Sequence, residues 1–395
     1  MTARPPLVLF SDIRFPSPRA NGIQVVKTAH ALATRGRDVR LVVRHSDPRP
    51  TSQILPGFGV EPTSRLHVDR LIVGHAPNSS FIPRLRYLTQ ALLLGRRSAR
   101  AGAQVMTRDL QLADLLLRVG CERLTYEAHA VEAVMYDERH QLYGLKHAPS
   151  PVKRRRIENR ERRVWTGAQG FIVTTRGILA TFERLFGARP RTAVVPNGCD
   201  TPRDRVFVAP PESGRVVYAG QLYPWKGVDV LVQAFARMNR GELVIVGGLK
   251  GEADFDRVQD LARSLSLGDR IIFKGSLPQK DVASELAEAT VVVAPFLKSA
   301  MTSEHTSPIK AFEAMAAGRP LLISDTDASR EIVEDGKTGI VVAPGNVEAW
   351  AAALDRVLSD RPLQMALSRA AFEKATQYSW ARRAERIEEF LGAMA

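Results

Sequence analysis

The sequence predicts an α/β protein of two Rossmann-like domains facing across a cleft, and three observations carry that reading. Its 395 residues exceed one usual core. Short β-branched runs alternate with longer helical ones, the pattern of a parallel sheet covered on both faces. The alternation stops in a segment rich in Pro, Gly and polar residues, 196–214, and then restarts.

In chain order, "LVLFSDI" reads as a strand, "NGIQVVKTAHALATRG" as a helix closed by Gly36, and "DVRLVV" as a strand. Helical patterns follow around 83–100, 109–118 and 151–167, with strand-like "LTYEA" and "GFIVTT" among them. These make a first domain over 1–195, with 196–214 as the linker. Beyond it come the strands "RVVYAG", "ELVIVGG", "RIIFKG", "TVVVAPF", "PLLISD" and "GIVVA". Helices fall at 228–238, 252–266, 280–288, 308–317 and 346–358, giving a second domain over 215–370. The tail, 361–394, reads as two helices with no strand between them. A C-terminal helix within 371–395 is expected to pack back on the first domain. Ligands of such sheets bind at the carboxyl ends of the strands, so the site is sought there.

Composition narrows the class. Apolar content of 45% and charged content of 25% belong to a folded globular chain. No apolar run approaches the ~18 residues of a membrane span. The N-terminus enters a strand-like run at once, which speaks against a signal peptide. Cys121 and Cys199 have no metal-type spacing and fit a reducing, cytoplasmic setting. The sequon at 78–80 is read as chance. The net charge of +14 implies something acidic as a partner: nucleic acid, an anionic membrane face or phosphorylated ligands. In "KRRRIENRERRVW", 153–165, seven of thirteen residues are basic, and "PRLRYLTQALLLGRRSAR" interleaves Arg84, Arg86, Arg96, Arg97 and Arg100 with leucines. Both a membrane-facing amphipathic surface and a solvated helix face fit this pattern.

Three segments at predicted strand ends hold candidate chemistry. "GQLYPWKG", 220–227, follows the first strand of the second domain, and Lys226 is a compact cation suited to phosphate. "TSPIKAFEAMAAGRP", 306–320, reads as a helix with Ser307 as N-cap, Pro308 first and Gly318 just past the end. Unpaired N–H groups at such a start attract phosphate. Glu313 lies about 7.5 Å further along the axis, near the span from a pyrophosphate to the ribose of the same nucleotide. A carboxylate accepts both ribose hydroxyls. "TYEAHAVEA", 125–133, places Glu127 and His129 after a strand of the first domain; a structural histidine fits there as well.

Together these segments resemble GT-B glycosyltransferases, specifically family 4 (group 1) and its retaining relatives. "SPRANGIQVVKTAHALATRG", "YEAH", "VVPNGCD", "YAGQLYPWKGVDVLVQAF", "SPIKAFEAMAAGRPLLISD" and "YSWARRAERIEEFL" carry the resemblance over nearly the whole chain. It implies sugar transfer from a nucleotide-diphosphate donor, a UDP- or GDP-sugar, with retained anomeric configuration. Neither a cofactor nor a metal is implied. The acceptor would be a sugar, lipid-linked or small-molecule hydroxyl, in polysaccharide, glycolipid or glycoconjugate synthesis. By carry-over, Lys226 contacts the diphosphate, Glu313 the ribose, and the backbone near Ser307 and Ile309 completes the phosphate cradle. Gly22 lets the first loop approach the donor, and His129 lies beside the transferred sugar. The sequence departs from the family pattern twice. Gln221 stands where an arginine is usual, so Lys226, with Lys310 if it turns inward, must stabilise more of the diphosphate. His305 stands where a sugar-binding glutamate is usual, with Glu304 one residue earlier. Either Glu304 serves through a bulge or sugar recognition differs.

Two other functions compete with this reading. A nucleotide-sugar epimerase would use the same architecture without an acceptor. A basic nucleic-acid-binding protein would explain the charge, but the basic run has no interleaved aromatics beyond Trp165, so a nucleic-acid partner is not expected. An anionic membrane surface, met peripherally from the cytoplasmic side, is the preferred reason for the basic helices. Asp325-Thr326-Asp327 matches a metal-binding DxD but follows a buried strand, where a turn is expected.

Overall fold

The computed structural model describes residues 4–17, 19–74, 81–142, 148–201 and 204–393. The sequon at 78–80 lies outside them. The chain separates into two compact units: Met1–Asp137 with Pro149–Pro196 and Trp380–Ala395, and Glu138–Ala148 with Asn197–Ser379.

The first unit is built on a seven-stranded sheet, all of whose pairings are parallel. Its strands are β1 (Leu7–Phe15), β2 (Val39–His45), β3 (Leu66–Leu71), β4 (Gln104–Thr107), β5 (Leu124–Ala128), β6 (Gly170–Val173) and β7 (Thr192–Val194). Their order is β3-β2-β1-β4-β5-β6-β7. The order reverses between β1 and β4, so the loops after these strands diverge and leave room for a ligand. Three strands, β3, β4 and β7, were not legible: "LHVDRL" carries charges on a half-exposed edge, and the other two are three or four residues long.

The second unit repeats the plan with six parallel strands: β8 (Arg215–Ala219), β9 (Glu242–Val246), β10 (Ile271–Gly275), β11 (Val291–Ala294), β12 (Leu321–Ser324) and β13 (Ile340–Val342). They are ordered β10-β9-β8-β11-β12-β13. Both faces are covered, which is why the strands read as unbroken apolar runs. Along β8, Val216 and Tyr218 enter one core while Val217 and Ala219 enter the other.

The two tail helices part company. Arg361–Lys374 stays in the second unit, where Leu367 and Ala371 join its cores. Only from Trp380 does the chain rejoin the first unit, through the helix Trp380–Gly392. That helix buries Trp380, Arg383, Ala384, Ile387, Glu388 and Leu391, a helical stripe containing two charges.

Candidate active site

The candidate residues fall into two separate groups, one in each unit. In the second unit β8 ends at Ala219 and the chain turns through Pro224–Lys226 into Gly227, whose φ is +69°. A Cβ at Gly227 would collide with the Pro295 carbonyl, so only glycine brings this loop against the loop after β11. The approach seats the Lys226 ammonium over the Phe296 ring, 4.8 Å from its centroid. Among the described residues no carboxylate pairs with Lys226. Burial draws its pKa down to about 8. A sequestered cation with no counter-charge is prepared for an anion from outside. Gln221 turns its backbone inward, its carbonyl accepting from Tyr218 Oη at 2.6 Å.

The helix of the motif at 306–320 runs Ile309–Ala316, with Pro308 in the N-cap position and no side-chain cap. Ser307 is therefore not the cap expected from sequence. Its Oγ accepts from the Asn197 N–H at 3.0 Å, and its carbonyl accepts from Asn197 Nδ2 at 2.8 Å. Pro308 itself stands extended, at φ −81° and ψ 107°, so the helix starts one residue later than expected. With Ser307 engaged elsewhere, the Ile309 and Lys310 N–H groups have no hydrogen-bond partner among the described residues. Gly318 takes the left-handed conformation, φ +65°, that ends the helix.

Glu313 Oε1 accepts from Gln279 Nε2 at 2.6 Å, and Oε2 lies 2.6 Å from Lys310 Nζ. Lys310 also donates to Gln279 Oε1 at 3.3 Å, which closes a triangle. Its ammonium thus turns onto Glu313, whereas Lys226 has no carboxylate partner among the described residues. Just upstream, Glu304 is half-buried and His305 only 3% exposed. Among the described residues neither ring nitrogen of His305 has a hydrogen-bond partner. Burial, against the opposing pull of Glu304, lowers its pKa to about 4, so the ring is neutral at pH 7.

In the first unit β5 delivers Glu127 and, just beyond it, His129. Glu127 Oε1 receives hydrogen bonds from Gln24 Nε2 at 3.0 Å, from Arg383 Nη2 and from His129 Nε2 at 2.8 Å. Burial opposes ionisation of Glu127, but Arg383, His129 and Arg108 outweigh it and hold the carboxyl well below the usual range. His129 is itself drawn down to about 4 by burial and by Arg108, despite Glu127. A neutral ring beside a carboxylate must carry its proton on Nε2. Nδ1, without a partner among the described residues, is then left as an acceptor. Gly22 sits in the first turn of the helix Ala20–Thr34, where a Cβ would strike the Ser17 carbonyl oxygen. Glycine is required there by the preceding loop.

Arg383, Gln24, Gln279 and Asn197 were missed. Arg383 is 2% exposed, and its guanidinium also donates to Thr28 Oγ1 at 3.0 Å and to the Val195 and Pro196 carbonyls at 2.7 Å. The available signal was an arginine inside the apolar stripe of the last helix. Among the described residues no group of three or more His, Cys, Asp or Glu could hold a metal ion. Asp325 pairs with Arg330, and Thr326 caps the short helix Asp327–Arg330, so the DxD stretch is a turn.

Residues 202–374 match the family of glycosyl transferases group 1. Through this segment the chain is similar to the group 1 glycosyl transferases. A D-inositol 3-phosphate glycosyltransferase of Nocardia farcinica is 29% identical over 289 residues, 68% of this chain and 61% of that protein. The matched part thus spans about three fifths of that relative's length. A sucrose-phosphate synthase of Thermosynechococcus elongatus superposes with a TM-score of 0.79 at 21% identity, covering 99% of each chain. The HepE protein of Anabaena, in complex with UDP and glucose, gives 0.73 at 17% identity over 99% of this chain and 100% of that one. These likenesses establish the GT-B fold, with its two parallel-sheet domains. No helix among the described residues is long and apolar enough to cross a membrane.

Proposed function

We propose that this group 1 glycosyl transferase moves a sugar from a UDP- or GDP-sugar to an acceptor hydroxyl, with retention and without a metal. The observation that carries the donor side is the pairing of Lys226, a half-buried cation without a carboxylate among the described residues, with a helix start whose first N–H groups are open. The diphosphate takes both. Glu313 then exchanges Gln279 and Lys310 for the two ribose hydroxyls, which frees the Lys310 ammonium for the phosphates. As the glycosidic bond to the diphosphate breaks, negative charge grows on the leaving oxygen, and these fixed donors stabilise it. His305, neutral and unpartnered, is assigned to the sugar hydroxyls in preference to the half-buried Glu304. His129, in the first unit, offers Nδ1 as an acceptor.

The acceptor is a sugar, lipid-linked or small-molecule hydroxyl, as the Nocardia relative by its name acts on a small phosphorylated polyol. The setting is cytoplasmic and peripheral to an anionic membrane face. The epimerase and nucleic-acid readings gain no observation from the fold or the relatives.

A thermal-shift panel of UDP, GDP, ADP and CMP against wild type and Glu313→Ala tests the donor site. One diphosphate at a hundred times its Kd adds about 2.7 kcal/mol, roughly 4 °C or more for a domain of this size. The shift is expected to vanish in Glu313→Ala. A shift by none of them, or an equal one in both proteins, removes the proposed site.

A further inference from the structure

The two groups of candidate residues leave the first unit's other strand ends unused, and a cluster of guanidinium groups sits there. β1 is long: a register shift between Phe10 and Arg14 carries it on to Phe15, and Arg14 pairs in register with Arg44 of β2. Register partners on neighbouring parallel strands share a face, so two like charges stand side by side. Asp12 neutralises part of this, lying 2.7 Å from Arg44 Nε and also meeting Arg84. Arg84 reaches Asp109 as well, at 2.8 Å. Arg86 donates to the Val73 carbonyl at 3.4 Å. Four arginines therefore face two carboxylates, and among the described residues none pairs with Arg14.

The charge surrounds a cavity. Arg14, Arg44, His45 and Ser46 line one side of a pocket of about 480 Å³, and Ile72, Val73 and Pro83 line the other. Burial and the neighbouring Arg14 both lower the Arg44 pKa, as expected of a cation short of counter-charge. Outside the pocket the apolar wall continues into solvent. Ile72 is 76% exposed, and Leu85, on the same helix as Pro83, is 52% exposed.

We infer that this pocket binds the phosphate of a phosphorylated acceptor, with Arg14 and Arg44 as its ligands. Guanidinium forks match phosphate oxygens, and Arg14 can turn onto a ligand without abandoning a partner. The apolar wall suits the carbon part of the same molecule. Two sources share this chemistry: a soluble phosphate ester, or a lipid phosphate whose chain follows Ile72 and Leu85. The inference rests on the transferase reading for the word acceptor; the pocket itself does not depend on it.

The test titrates inorganic phosphate, and chloride at equal ionic strength, into wild type and Arg14→Ala while following the arginine Nε–Hε resonances by NMR. Saturable shifts at Arg14 and Arg44 with phosphate alone are expected, with affinity about tenfold or more weaker in the variant. Shifts that chloride reproduces, or an affinity unchanged in Arg14→Ala, overturn the inference. The sources separate in a second arm, using glycerol 3-phosphate and phosphatidylcholine vesicles with and without phosphatidic acid. Competition by glycerol 3-phosphate, with vesicle binding insensitive to Arg14→Ala, identifies the soluble ester. Acid-dependent co-sedimentation lost in both Arg14→Ala and Leu85→Ser identifies the lipid. If neither probe engages Arg14, the inference falls. Arg14 is exposed and bears no ion pair, so the variant is expected to fold. Its thermal shift with UDP and GDP reports the donor side separately, so failure of the donor reading and failure of this pocket are distinguishable.

Discussion

Lys226 is half-buried and His305 buried, and neither side chain has a hydrogen-bonding partner among the described residues; each has a measurable consequence. Burial sets the free Lys226 pKa at about 8, below the model-peptide 10.5. A bound diphosphate favours the ammonium and raises that value again. At pH 7 the lysine is charged with or without ligand. Above about 8 the free site loses its proton and binding must take one up, so diphosphate affinity falls by up to about tenfold per pH unit. Calorimetric titration across that range is the check, and Lys226→Met should remove the dependence together with most of the affinity. His305 bears the cost of two unsatisfied nitrogens. His305→Leu is expected to leave the protein as stable or about 1–3 kcal/mol more stable, in denaturant unfolding, while sugar transfer is lost. A large loss of stability would instead make His305 a structural residue.

At the scale of elements, the helix Ile309–Ala316 shows how far sequence reading reaches. Its place, its Gly318 terminator and the inward Glu313 were legible because local backbone rules set them. The capping of Ser307 was not, because Asn197, 110 residues away, takes its oxygens. The Gln279–Glu313–Lys310 triangle was hidden for the same reason: it joins two helices that only the sheet brings together. The last helix makes the point from the other end. Its amphipathic period was visible, but the partner of its buried arginine lies 256 residues earlier. Arg383→Met breaks that pair and should cost about 3–5 kcal/mol in equilibrium unfolding. Glu127 would then lose its strongest source of acidity, and its carboxyl and the His129 ring should both titrate at higher pH. An NMR titration of His129 reads this directly. A destabilised variant with unchanged His129 titration would limit Arg383 to a structural role.

For the whole molecule, two rounds of βα alternation were enough to give two parallel-sheet units, because strands buried on both faces announce themselves as apolar runs. The edge strands and the point where the tail changes units were not announced, since neither depends on local period. The net charge of +14 finds partial explanation in the arginines at the ends of β1 and β2 and in the open cation of the second unit. Binding of anionic ligands to either place should weaken as salt rises. The central claim is the donor site. A crystal structure with the nucleoside diphosphate selected by the thermal-shift panel tests it most directly. The account predicts phosphate oxygens on Lys226 and on the Ile309 and Lys310 N–H groups, with both ribose hydroxyls on Glu313. A nucleotide bound elsewhere, or bound here with Glu313 still held by Gln279 and Lys310, would contradict it.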